Sequence, residues 1–282
     1  MLFFIFGLFL GSLLNNIAYR LVRGENFVIG SSKCDYCQKK LNWYELIPIL
    51  SYIIQKGQCR NCKTKISFRY PLTELISGLF AYKIAEKTLL LNAFNLTNFI
   101  YFLYFLFIVS LLLILALYDL ETFYIEERII YFAIIFWLIF IISFDYVNFP
   151  HVNFADSFNY LIYLPQTNIK EYAFNRLYFG YLLALGIVII FLLTLGKGIG
   201  LGDAKILFIL GLYFNFGDII LTLVFSIIIG GIFSLFILFK KRKTKQSIPF
   251  VPFIFISLFL TIIAGELVSN ILFENLINLD LK

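Results

Sequence analysis

Eight stretches of this chain are apolar for long enough, or nearly long enough, to cross a lipid bilayer. They fall at about 1–22, 71–91, 99–118, 128–145, 176–196, 204–217, 219–239 and 249–273. A crossing helix needs ~20 apolar residues at ~1.5 Å each. The chain is 61% hydrophobic and 14% charged, against ~25% charged in a soluble domain. No water-soluble core of 282 residues hides that much Phe, Ile and Leu. The expected fold class is therefore an all-α polytopic membrane protein with about eight transmembrane helices. The sixth run is short, so seven spans remain open if 204–239 is one broken unit. The first run has no basic stretch before it and no small-residue cleavage site after it, and it is expected to stay as a helix.

Charge orients the spans. With eight crossings, one side of the membrane receives eighteen Lys and Arg, in the segments near 20–70, 119–128, 197–205 and 240–248, and the other side receives five. Lys and Arg collect in cytoplasmic loops, so the first set is expected inside. The net charge of +6 then reports orientation in a lipid bilayer, and no nucleic-acid partner is expected. The expected organisation is a first helix at 1–22, a cytoplasmic loop domain at 23–70 and a helical bundle at 71–282. A second long loop, 146–175, carries Pro150, Pro165 and the one histidine, His151, and is expected outside. The run Lys240-Lys-Arg-Lys-Thr-Lys245 reads as a topology anchor, or alternatively as a site for anionic lipid or an acidic partner.

The loop at 23–70 holds all four cysteines, as Cys34-x-x-Cys37 and Cys59-x-x-Cys62. Two such knuckles joined by a short excursion are the pattern of a tetrahedral four-thiolate zinc site. A cytoplasmic position argues against structural disulfides. A loop of this size has little core of its own, so a metal would hold its fold. With every ligand position taken by sulfur, the ion would be structural. Redox pairs and an iron–sulfur centre are the alternatives.

Two acids stand at the edges of apolar runs on the same predicted side. Asp119 follows the run Leu111 to Tyr118. Asp203 ends the glycine-rich stretch Gly196-Lys-Gly-Ile-Gly-Leu-Gly-Asp203-Ala-Lys205. An acid at a span is a functional-site hypothesis by default. The plainer readings are that Asp119 marks the end of a helix and Asp203 caps the next one. The alternating glycines favour a site, because they permit φ > 0 and the close approach of another chain. Two neighbouring carboxylates share a proton near neutral pH. One takes a proton from water while the other polarises a peptide carbonyl. That chemistry needs no His or Ser, and no Ser/His or Cys/His dyad can be assembled here.

Further motifs lie along the chain. Gly11-Ser12, Asn15 and Arg20 sit on the first run, with Asn15 a polar residue at membrane depth. Trp43, Glu45, Ile47-Pro48 and Ser51-Tyr52 lie between the cysteine pairs. Arg69-Tyr-Pro71-Leu-Thr-Glu74-Leu75 leads into the second run. Glu74 is read either as an acid favoured by the helix dipole or as a residue lining the site.

Taken together, these motifs resemble the type IV prepilin peptidases, membrane aspartic peptidases with a Gly-x-Gly-Asp motif. Gly200-Leu-Gly202-Asp203-x-Lys205 matches that motif, and Asp119 falls at the family's first catalytic aspartate. The Gly11-Ser12, Asn15 and Arg20 signature, the cysteine tetrad, the Arg69–Leu75 block and Ile248-Pro249-Phe250 match in order. The resemblance covers nearly the whole chain. It implies cleavage of a short basic leader, just after a glycine, from prepilins and pseudopilins at the cytoplasmic face of a bacterial inner membrane. Asp119 and Asp203 would be catalytic, and the loop with Gly200, Gly202 and Lys205 would receive the substrate. Many members also methylate the new N-terminal residue with S-adenosylmethionine, and the cysteine loop is typical of those. The sequence departs from the family at Glu126-Glu127, where a Pro-Asp pair is usual. The other readings are a peptidase without methyl transfer, a transporter using intramembrane carboxylates, and a membrane-anchored zinc-ribbon binding module.

Overall fold

Apolar runs become helix almost everywhere the chain is described. The computed structural model describes residues 1–26, 32–34, 36–88, 90–91, 94–147, 169–195, 200–241 and 248–263. Among these the helices are α1 (Leu2–Val22), α2 (Leu50–Ile54), α3 (Arg69–Lys87), α4 (Leu96–Thr122), α5 (Glu127–Val147), α6 (Ile169–Leu193), α7 (Leu201–Tyr213), α8 (Phe216–Lys241) and α9 (Val251–Ile263). Extended pairing among the described residues is confined to two isolated bridges, Lys33 with Lys40 and Gln58 with Lys65. Stretches within α1, α4, α6 and α8 are long and apolar enough to cross a membrane, and α9 is a shorter apolar helix. The chain is a multi-pass membrane protein. Much of the 146–175 loop, with His151, lies outside the described residues, as do Gly196 and Gly198, most of the basic run after Lys240, and the end of the eighth apolar run.

Each of the eight apolar runs finds a helix, with shifted ends. The third continues to Thr122, which puts Asp119 inside the last turn of α4 and not beyond it. The stretch 204–239 is two helices, parted at Phe214 and Asn215. Arg176 on α6 holds that break by donating to the Phe214 carbonyl and to Asn215 Oδ1. The helix before the break, α7, has 13 residues. That makes it about 20 Å long, short of the ~30 Å hydrocarbon core. Its residues from Ile206 onward are nearly all buried, so it packs against protein more than lipid.

The chain forms two compact units, Met1–Thr122 and Phe123–Lys282. In the first, α1 lies along α3. A Cβ on Gly7 would come within 2.5 Å of the Ser77 carbonyl oxygen, and one on Gly11 within 2.8 Å of Glu74 Cα. In the second, α6 and α7 cross where a Cβ on Gly211 would sit 2.2 Å from Gly180 Cα. Lipid tails are as apolar as Leu, so helices in a membrane associate through close packing at small residues and through polar ties. Asn15 is one such tie. It is fully buried, and its Nδ2 donates to the Gly11 carbonyl (3.2 Å) and to Thr73 Oγ1 on α3. Another is Tyr213, whose hydroxyl donates to the Ala133 carbonyl on α5 at 2.7 Å.

Candidate functional site

The four sulfurs are brought together. Cys34, Cys37, Cys59 and Cys62 are free thiols, and their sulfur atoms all lie within 4.8 Å of one another. Cys34 and Cys62 Sγ are 3.8 Å apart. A tetrahedron with Zn–S bonds of ~2.3 Å has S···S edges of about 3.8 Å, so the cluster has the size of a zinc site. The two knuckles share one backbone plan. Gln38 N–H donates to Cys34 O, and Lys63 N–H to Cys59 O. The residue after each second cysteine takes positive φ, 56° at Gln38 and 58° at Lys63. The two isolated bridges close the knuckles at the same relative positions.

Local polarity sets the thiols apart. The Thr64 hydroxyl lies 2.9 Å from Cys62 Sγ. It and backbone donation bring that thiol down to about 6. Backbone donation at Lys39 also lowers Cys37. Burial pushes Cys34 up to about 11. Two of the four are thus drawn toward the thiolate that a metal requires.

The acids fall one in each unit. Asp119, in the first unit, is buried at 6% exposure. The turn that carries it is tied to the start of α3 by an ion pair between Arg69 and Glu121. Asp203, in the second unit, is half-buried and is the third residue of α7, with Gly200 as the N-cap. Its carboxylate accepts the Gly200 N–H at 3.3 Å, and its own N–H donates to the Gly200 carbonyl at 3.2 Å. Gly200 and not Asp203 takes the N-cap expected for the acid; Asp203 sits three residues on, inside the first turn, where an acid suits the helix dipole.

The two described glycines of the stretch, Gly200 and Gly202, act differently from the expectation of φ > 0. Gly200 has an ordinary φ of −81°. Its distinction is open space, since a Cβ there would meet only Asp203 Oδ2 at 3.8 Å and the Gly202 nitrogen at 3.9 Å. At Gly202 a Cβ would sit 2.6 Å from Ile125 Cδ1, so this glycine serves close packing. Lys205 pairs with Glu127 at the start of α5, and Glu126 pairs with Arg128 at 2.5 Å. The Glu126-Glu127 departure thus supplies an acid that pairs with Lys205, in the second turn of α7.

Glu74 is 7% exposed and lines a cavity of about 920 Å³ within the first unit. Of its two sequence readings, the helix-dipole one is not met, because the first turn of α3 holds no acid. Glu74 is the sixth residue of α3, beyond the first turn, where the helix dipole acts most strongly. Sequence reading missed the Gly7-x-x-x-Gly11 pair on α1, although small residues at that spacing are a known mark of close helix crossing. It also missed Ile49, whose amide reaches Glu74.

Fold and site define a class: a multi-pass helical membrane protein with a four-thiol loop in its first unit and one acid-bearing helix end in each unit. Two family models match it in chain order. Residues 5–88 match the bacterial peptidase A24 N-terminal domain, and residues 106–235 match the type IV leader peptidase family. The chain belongs to the type IV leader peptidase family and is an enzyme of that family.

Curated relatives extend the match over the whole length. A protein of Bacillus subtilis (strain 168) named prepilin leader peptidase/N-methyltransferase is 29% identical, over 99% of this chain and 96% of the relative. One of the same name from Pseudomonas putida is 26% identical over 93% and 89%. One from Myxococcus xanthus (strain DK1622) is 42% identical over a shorter stretch, 28% of this chain and 24% of the relative. No solved structure matches the chain.

Proposed function

We propose that this chain is an aspartic endopeptidase that removes the leader from type IV prepilins and pseudopilins at the cytoplasmic face of a bacterial inner membrane, and that it then N-methylates the new terminus with S-adenosylmethionine. The observation that carries the reading is the pair of family matches, because residues 106–235 span both Asp119 and Asp203. The names of the full-length relatives support both activities, and the charge asymmetry supports the orientation.

In this reading Asp119 and Asp203 form the catalytic pair. One, ionised, takes a proton from the attacking water. The other, protonated, donates to the scissile carbonyl oxygen and later helps protonate the leaving nitrogen. Such a pair titrates as a unit. Gly200, the exposed N-cap of α7, leaves open space beside the Asp203 carboxylate, which suits an extended substrate passing there, with Gly202 and Lys205 in the first two turns of that helix. The loop domain at 23–70 would be held by one structural zinc on Cys34, Cys37, Cys59 and Cys62. S-adenosylmethionine, when bound, supplies the methyl group. Arg20, Tyr52, Tyr70 and Glu74 line the cavity of the first unit and would be the residues to meet its charged end and its base.

The test is incubation of the purified chain in detergent with a prepilin-type substrate and labelled S-adenosylmethionine, read by mass spectrometry. The reading expects a cut just after the leader glycine and one added methyl group on the new terminus. An intact substrate beside a folded enzyme contradicts it. A cut without a methyl group leaves the peptidase alone.

A further inference from the structure

Glu74 is a buried acid with no ion-pair partner among the described residues. Its Oε2 accepts the Ile49 N–H at 2.8 Å, and the Ser12 hydroxyl on α1 also bonds the carboxylate. Both donors are neutral, and among the described residues no Lys or Arg makes an ion pair with Glu74. A carboxylate taken out of water is costly until a positive charge and hydrogen bonds compensate it. Glu74 lines the cavity of about 920 Å³, a volume within the ~300–1,000 Å³ range of small-ligand sites.

A second observation points the same way. Ile49 has φ +60° and ψ −49°, a conformation that L residues with branched Cβ atoms rarely adopt. Strain of this kind persists where the surroundings over-determine it, and it gathers at ligand sites. Here the strained residue is the one whose amide holds Glu74. The amide of Ile49 thus fixes one carboxylate oxygen of Glu74, a residue that lines the cavity beside Arg20, Arg23 and Lys65.

We propose that Glu74 is the ammonium-binding residue of this cavity. The proposal rests on the reading that the chain transfers methyl groups as well as cleaving. Two ligands of that reaction carry the required group: the newly exposed N-terminus of the cleaved substrate, and the methionine end of S-adenosylmethionine. Glu74 has no part in the proposed peptide-bond cleavage.

The experiment compares the full-length chain with its Glu74→Gln variant in detergent, by titration calorimetry. One arm uses S-adenosylhomocysteine. The other uses a peptide of the mature pilin N-terminus, with a free or an acetylated amine. Loss of one charge-assisted hydrogen bond weakens the affected probe about 10- to 100-fold. Glu74→Asp restores part of the affinity, and prepilin cleavage stays within about twofold of wild type. Weakening in the peptide arm, with lost preference for the free amine over the acetylated one, assigns the carboxylate to the acceptor. Weakening in the other arm assigns it to the donor. Unchanged affinity in both arms overturns the role of Glu74 and leaves the methyltransferase reading standing. A wild type that binds neither probe and transfers no methyl group overturns that reading and the proposal together. If Glu74→Gln loses cleavage too, Ser12→Ala decides. It removes one orienting hydroxyl, is expected to weaken the same probe about threefold, and overturns the proposal if binding is unchanged.

Discussion

At the scale of the residue, most of what matters is decided by what surrounds a few polar groups and glycines. Gly200 is the sharpest case. Its backbone is ordinary and its surroundings are open, so Gly200→Val should fold while placing a branched side chain beside the Asp203 carboxylate. The expected outcome is a midpoint of thermal unfolding within a few degrees of wild type and a fall in cleavage of about tenfold or more. Cleavage at the wild-type rate would show that the substrate does not pass there. Lys205 makes the complementary case. Its pair with Glu127 is largely exposed, 45% and 57%, and such pairs contribute about 0–1 kcal/mol. Lys205→Ala should therefore leave stability nearly unchanged. A change in KM would then report contact with substrate, and a fall in stability of several kcal/mol would contradict the solvated geometry. These two residues were legible in the sequence as a motif, but the reason for each glycine was not. Sequence suggested positive φ, whereas the structure shows space at Gly200 and close packing at Gly202, a distinction that depends on Ile125, far away in the chain.

At the scale of the element, the four-thiol loop and the helix crossings hold the fold. The cysteine spacing was legible because a C-x-x-C knuckle is a local device, and the structure closes both knuckles on one point with sulfurs within 4.8 Å. One zinc per chain is expected by elemental analysis, and changing all four cysteines to serine should abolish it and loosen the 23–70 segment. Undiminished zinc in that variant would rule the site out. The crossing of α6 and α7 could not be read from sequence, because Gly180 and Gly211 are far apart in the chain and meet only after folding. Gly211→Leu would drive a side chain into the Gly180 backbone, which has no flexible end to yield. A loss of about 1–3 kcal/mol or more is expected from such overpacking, seen as a lower unfolding temperature in detergent. Wild-type stability would mean that the two helices do not touch there. Hydropathy placed the long helices among the described residues and parted the sixth and seventh runs near 218; the structure sets that break at Phe214 and Asn215, where Arg176 on another helix holds it.

At the scale of the whole molecule, family membership and the multi-pass helical architecture converge on a membrane peptidase, and the carboxylate pair is the proposal to be tested. Asp119 and Asp203 were found in the sequence because acids are rare beside membrane spans. Each now has a local structural setting: Asp119 in the buried last turn of α4, and Asp203 in the first turn of α7. The cavity of the first unit was not legible, since it is assembled from α1, the loop and α3 together. The most direct test of the central claim is cleavage of a prepilin-type substrate by the purified chain beside its Asp119→Asn and Asp203→Asn variants, all three inserted and folded. The account predicts a single cut after the leader glycine with the wild type, and a rate at least ~10³-fold lower with either variant. Normal processing by either variant would contradict the carboxylate pair.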